Sequence, residues 1–136
     1  MTENVAPVVP CARIHEGDVL EPVQIPVTRE TLVRYAGAST DFNPIHWSDR
    51  AARAAGMDGV IAHGMWTMGA ALGVVVHWVA APGRIVSQRA RFVRPVLVPD
   101  TDEGTQVIVS GQVTKADDQT ATLSLDVTHE GQTVLG

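Results

Sequence analysis

At 136 residues the chain is the size of one domain, long enough to bury a sizeable core. An apolar fraction of 45% with 18% charged residues excludes a disordered or low-complexity polymer. The net charge of −5 argues against general nucleic-acid binding, and a single cysteine, Cys11, excludes an intrachain disulfide and a cysteine-based zinc site.

Residues 1–17 read as a flexible N-terminal segment. They are rich in proline and lack the basic region and apolar run of a signal peptide. A reducing, cytoplasmic setting fits, with Cys11 an inert thiol. Residues 18–136 read as one domain. Asp18 to Val27 carries β-formers with Pro22 and Pro26, the pattern of an edge strand. Thr28 is a good N-cap for a short amphipathic helix that stops near Gly37. Ser39 to His46 is a loop, because Pro44 drives Asn43 out of the α region. Ser48 or Asp49 caps a helix over Arg50 to Ala55, closed by Gly56.

A long apolar helix then begins near Gly64 and ends near Ala81. Met65 to Ala81 holds no Asp, Glu, Lys or Arg, but 17 residues is short for a membrane span, which needs about 20. His77, several small residues and the lack of a flanking Lys/Arg cluster make it the buried centre of a globular fold instead. Arg84 to Val93, Thr105 to Lys115 and Thr120 to Glu130 read as strands, and Gly131 to Gly136 as the start of another. The order is strand, helices, then antiparallel strands: an α+β chain with a sheet wrapped round the central helix.

The chemistry gathers in two places. Asp41 and His46 lie five residues apart on the bent loop, so both side chains can face one pocket and hold a water between them. A carboxylate beside an imidazole can remove one proton and deliver another. Taken alone, the same residues also suit an ordinary turn, which favours Asp, Asn and Pro for backbone reasons. The second place is Ala62-His63-Gly64-Met65 at the start of the long helix. The first N–H groups of a helix are unpaired and electropositive, and Gly64 lets a carbonyl approach closely. Gly64 also suits tight packing. His63 reads as a local hydrogen-bonding residue.

The run Tyr35-Ala36-Gly37-Ala38-Ser39-Thr40-Asp41-Phe42-Asn43-Pro44-Ile45-His46-Trp47, followed by Ile61-Ala62-His63-Gly64-Met65, resembles the signature of the MaoC-like, (R)-specific enoyl-thioester hydratase/dehydratase family. Within it the likeness is greatest to the catalytic subunits of mycobacterial fatty-acid-synthase-II (3R)-hydroxyacyl-carrier-protein dehydratases. The resemblance implies a hot-dog fold, an antiparallel sheet around a long helix, and lyase activity on (3R)-hydroxyacyl or trans-2-enoyl thioesters. It implies Asp41 and His46 as the catalytic pair, a Gly64 amide on the thioester oxygen, and Asn43 as support. It implies no metal and no cofactor, an acyl-carrier-protein or coenzyme A substrate, and a hot-dog dimer, either a homodimer or a heterodimer with a non-catalytic subunit. Thr40 stands where the family usually has Gly.

Tyr35, Met65 and Trp66 are candidates for an acyl pocket, although Met and Trp at helical spacing also make plain core. Arg84, Arg89 and Arg91 suit docking of a phosphopantetheine arm or an acidic carrier protein, or form an ordinary solvated face. His77 and Trp78 read as core or subunit contact. Two other readings compete with the dehydratase: a hot-dog thioesterase and a non-catalytic acyl-binding subunit.

Overall fold

The computed structural model describes residues 14–136. Most of the expected flexible segment, with Cys11, lies outside the described residues. Ile14 to Gly17 make a turn in which the Gly17 N–H donates to the Val113 carbonyl at 2.8 Å.

Four strands form one antiparallel sheet in chain order: β1 (Val19–Val27), β2 (Thr105–Ala116), β3 (Ala121–His129) and β4 (Gln132–Leu135). Among the described residues β1 pairs only with β2, and its register shifts between Leu20 and Val23, where Pro22 cannot donate to a ladder. In the β2–β3 turn one Asp117 carboxylate oxygen accepts from the amides of Gln119 and Thr120, both at 2.8 Å. Glu130 and Gly131, both at positive φ, make the two-residue turn into β4.

Three helices lie between β1 and β2: α1 (Arg29–Ser39), α2 (Asp49–Ala54) and α3 (Gly64–Val79). Thr28 caps α1 in a reciprocal box with Thr31: each side-chain oxygen accepts from the other residue's N–H, at 3.3 and 3.1 Å. The helix runs through Gly37 and stops three residues later, at Thr40, whose φ of 61° is left-handed. A mid-helix glycine costs about 1 kcal/mol, and burial of Leu32 and Ala36 on the same helix outweighs it.

α3 crosses one face of the sheet. Thr67, Ala71, Val75 and Trp78 are buried at spacings of four, four and three, which is one helix face. Its N-terminal half packs on Val107, Val109 and Val127, and its C-terminal half on Leu20 and Val113. The expectation of a helix buried on all sides needs correction: Met65, Gly69, Gly73 and His77, four residues apart, form an exposed row. Trp78 is core.

Arg84 to Val93 is not a strand of the sheet, contrary to expectation. It opens in a single helical turn, Pro82–Arg84, and then runs extended, with Val86 90% exposed. Its ladder-type backbone bonds lie at its end, where Arg91 exchanges hydrogen bonds with Gly136 and the Val93 N–H donates to Val134; in mid-segment the Gln88 side chain donates to the Met68 carbonyl at 3.1 Å. A strand needs a partner along its length, and β4, the edge it runs beside, has four residues. Among the described residues no helix is long and apolar enough to cross a membrane.

Candidate active site

The loop after α1 is built by its own side chains. The Asn43 N–H donates to Asp41 Oδ1 at 3.2 Å, and Asn43 Oδ1 accepts from the Ile45 N–H at 3.3 Å. Pro44 then starts one helical turn that ends at His46. This chain of short-range bonds sets Asp41, half-exposed, beside His46, which is buried. Asp41 Oδ2 and His46 Nε2 are 3.9 Å apart. That is too long for a direct bond, yet both atoms can reach one water placed beside the line between them.

A main-chain group fixes the His46 ring. Nδ1 lies 2.8 Å from the Ile61 carbonyl oxygen. A carbonyl only accepts, so Nδ1 carries the proton and Nε2 presents its lone pair toward Asp41. The Ile61 backbone is itself held: its N–H donates to the Ile45 carbonyl at 3.2 Å, and it bridges to Leu97.

The segment leading to α3 is pinned by Asp49. Its Oδ1 accepts from the Val60 N–H at 3.0 Å, and its carboxylate pairs with Arg29, whose Nε donates to the Val98 carbonyl. The Val60 amide first, and the Arg29 guanidinium next, hold the Asp49 carboxyl below the usual range.

A cavity of about 290 Å³ opens beside His46, Gly64 and Thr67, walled by Phe92, Val96 and Leu135. Gly64 is the first residue of α3, and the Phe92 ring lies against it: a Cβ there would sit 2.9 Å from the ring edge. Arg94 also borders the cavity, while its Nη1 donates to the Thr133 carbonyl at 3.1 Å. An open, largely apolar pocket with His46 and the first amide of α3 in its wall, and Asp41 beside His46, suits a small activated carbonyl compound.

The sequence candidates fall into three groups. Asp41, Asn43, His46 and Gly64 come together. Tyr35 and Trp66 line a separate, larger cleft of about 520 Å³ between α1 and the start of α3, and Met65 points outward, 59% exposed. Arg84, Arg89 and Arg91 are exposed on the extended segment after α3, outside both cavities. The reading of His63 as a local hydrogen-bonding residue needs correction: it lies between the two spaces, and its partner is 22 residues away in the chain. Its ring stacks on His46 with centroids 3.8 Å apart and meets Tyr35 in a T-shaped contact at 4.8 Å. Its Nε2 lies 3.1 Å from the Asp41 carbonyl oxygen. Donor atoms of Asp41, His46 and His63 lie within 4.8 Å of one another, but His63 Nε2 is already bonded to that carbonyl. Burial holds the His63 imidazole below its ordinary pKa, against the pull of the Asp41 carbonyl. The Ile61 carbonyl carries no side-chain signature, and Phe92 was hidden in the supposed strand.

Comparison with known proteins agrees with the motifs. Residues 11–130 match the profile of the MaoC like domain. The chain is 40% identical over 75 residues to 3-hydroxyacyl-thioester dehydratase X of Mycobacterium tuberculosis, covering 55% of this chain and 26% of that protein. It is 34% identical over 86 residues to the mitochondrial 3-hydroxyacyl-[acyl-carrier-protein] dehydratase of Arabidopsis thaliana, covering 62% and 49%. The chain thus spans half or less of the length of these curated relatives. A solved MaoC-like dehydratase superposes over 97% of this chain and 41% of its own, with a TM-score of 0.88 and 31% identity. With the hot-dog arrangement of sheet and helix and a family match over most of its length, the chain belongs to the MaoC-like domain family.

Proposed function

We propose that the protein catalyses the reversible hydration and dehydration of trans-2-enoyl and (3R)-hydroxyacyl thioesters, carried on coenzyme A or an acyl carrier protein, in fatty-acid elongation. The observation that carries this reading is the Asp41–His46 pair, 3.9 Å apart beside the apolar cavity, with the His46 tautomer set by the Ile61 carbonyl. The dehydratase names of the relatives support it.

In dehydration, the thioester carbonyl lies at the start of α3, where the Gly64 N–H stabilises the enolate oxygen. His46 Nε2 takes the C2 proton, the C2–C3 double bond forms, and the C3–O bond breaks. The hydroxyl leaves as water with a proton from the pair, so the pair gains one proton and gives one back. Asp41 orients that water. In hydration the steps reverse. The thioester itself acidifies C2, so no cofactor enters this scheme. Exposed Phe42, Trp47, Met65 and Phe92 near the site suit cover by a second hot-dog subunit, identical or not, and Arg84, Arg89 and Arg91 suit a phosphate of the substrate arm.

The test follows the enoyl absorbance of trans-2-butenoyl and trans-2-dodecenoyl coenzyme A. Wild-type protein, alone or with a hot-dog partner, is expected to bleach the band without releasing thiol. His46→Ala and Asp41→Ala are each expected to lose at least 100-fold in kcat. Gly64→Ala, whose methyl displaces the Phe92 ring, is expected to fold normally and lose activity. Release of thiol, or full activity in His46→Ala, would overturn the reading.

A further inference from the structure

We propose that His63 is a positioning residue for the reaction: it locks the Asp41 backbone and the His46 ring into one unit. The proposal rests on the dyad reading above. Among the described residues His63 is the side chain that touches both members. Its Nε2 donates to the Asp41 carbonyl at 3.1 Å, so the loop that carries the carboxylate is tied to the start of α3. Its ring face covers the His46 ring at 3.8 Å, with the planes only 22° apart. His46 thus has one edge fixed by Ile61 and one face fixed by His63, and its remaining nitrogen points to Asp41. Tyr35 packs against His63 in a T-shaped contact, with the ring planes 61° apart.

The alternative is a histidine that merely fills space, and one atom speaks against it. Since Nε2 carries the proton, Nδ1 is a bare acceptor. It is buried and has no hydrogen-bond partner among the described residues. His63 as a whole is 2% exposed. A phenylalanine, slightly larger, would also stack and would leave no unpaired polar atom. The imidazole is therefore a poor choice for packing and a good one for joining Asp41 to His46. Three titratable groups face it: Asp41, His46 and Tyr35. Burial keeps His63 uncharged, so a proton arriving on His46 meets a neutral neighbour.

Two variants separate the two contacts. His63→Phe keeps a stacking ring and removes the donor. His63→Gln keeps an N–H donor near the position of Nε2 and removes the ring. Steady-state hydration of trans-2-butenoyl coenzyme A is measured for both beside wild type and His46→Ala, with melting curves and amide hydrogen exchange. His63→Phe is expected to melt at or above the wild-type temperature, because the orphan nitrogen is gone. Its kcat is expected to fall at least tenfold with KM within threefold. Amide exchange over Asp41 to His46 is expected to quicken at least tenfold while β2 and β3 keep their protection. His63→Gln is expected to recover much of the loop protection and part of kcat. Wild-type kcat or wild-type loop protection in His63→Phe overturns the proposal and leaves the dyad standing. A wild type with no hydratase activity alone or with a hot-dog partner, or one unaffected by His46→Ala, overturns both.

Discussion

Thr40 is a threonine in a glycine's conformation, and it stands next to the carboxylate of the site. Its φ of 61° and ψ of 16° place it in the left-handed region, which costs an ordinary L-residue about 1–2 kcal/mol and a β-branched one the upper part of that range. Thr40→Gly removes that cost. Against the gain stand the extra backbone freedom of glycine in the unfolded chain, about 0.5–1 kcal/mol, and the exposed bond from Thr40 Oγ1 to the Ser39 carbonyl, which contributes little. The net expectation is stabilisation of roughly 0.5–1 kcal/mol, a rise in Tm of about 2–5 °C for a domain of this size. Thr40→Ala keeps the positive φ and is expected to stay within about 0.5 kcal/mol of wild type. Thermal and urea unfolding, fitted with a shared m-value, measure both. Activity is expected to move the other way in Thr40→Gly, because a looser joint before Asp41 widens the spread of Asp41–His46 distances. A glycine variant that is less stable than wild type, or an alanine variant stabilised as much as the glycine one, would refute the reasoning.

Gly104 has a φ of 59°, and a Cβ there would overlap the Val27 carbonyl oxygen and lie 2.9 Å from Thr28 Cα; Gly104→Ala is expected to cost more than about 3 kcal/mol and lower Tm by at least 8 °C in a melting experiment. Asp49→Asn is expected to cost about 1–2 kcal/mol at pH 7, an amount trimmed by the partial exposure of the pair, because Arg29 loses its counter-charge. The folded carboxyl of Asp49 titrates below its unfolded value, so its stabilising effect is present above pH ~4 and fades as pH falls through and below that point. The gap between wild type and Asp49→Asn in denaturant titrations should therefore close on acidification from pH 5 to pH 3; a gap that widens would contradict the role given to Asp49.

The parts of the site that were legible in the sequence are those made by short-range chemistry. Asn43 and Pro44 announce a bend, and the bend alone brings Asp41 near His46. Gly64 announces a helix start with an open amide. What escaped notice depends on contacts between distant segments. His63 stands 22 residues from the carbonyl it binds, and nothing local marks it as different from a capping residue. The Arg84 to Val93 segment reads as a strand, but pairing requires an edge of matching length, which β4 does not offer. Gly37 looked like a helix end because glycine usually is one there, whereas the stop came from Thr40, a residue with no propensity for it. Tyr35 and Trp66 were grouped with the site through nearness in sequence to its motifs. The fold puts them on the far side of His63, facing another cleft.

One consequence of the His46 contact concerns inheritance. The group that chooses its tautomer is a main-chain carbonyl, and every amino acid at position 61 supplies one. No single codon change at that position deletes it. The lone pair on Nε2 is thereby insulated from mutation, while Phe92, Val96 and Leu135, which wall the cavity, are free to vary one at a time. A lineage, or an engineer, can reshape what the cavity admits without first rebuilding the proton-handling atom.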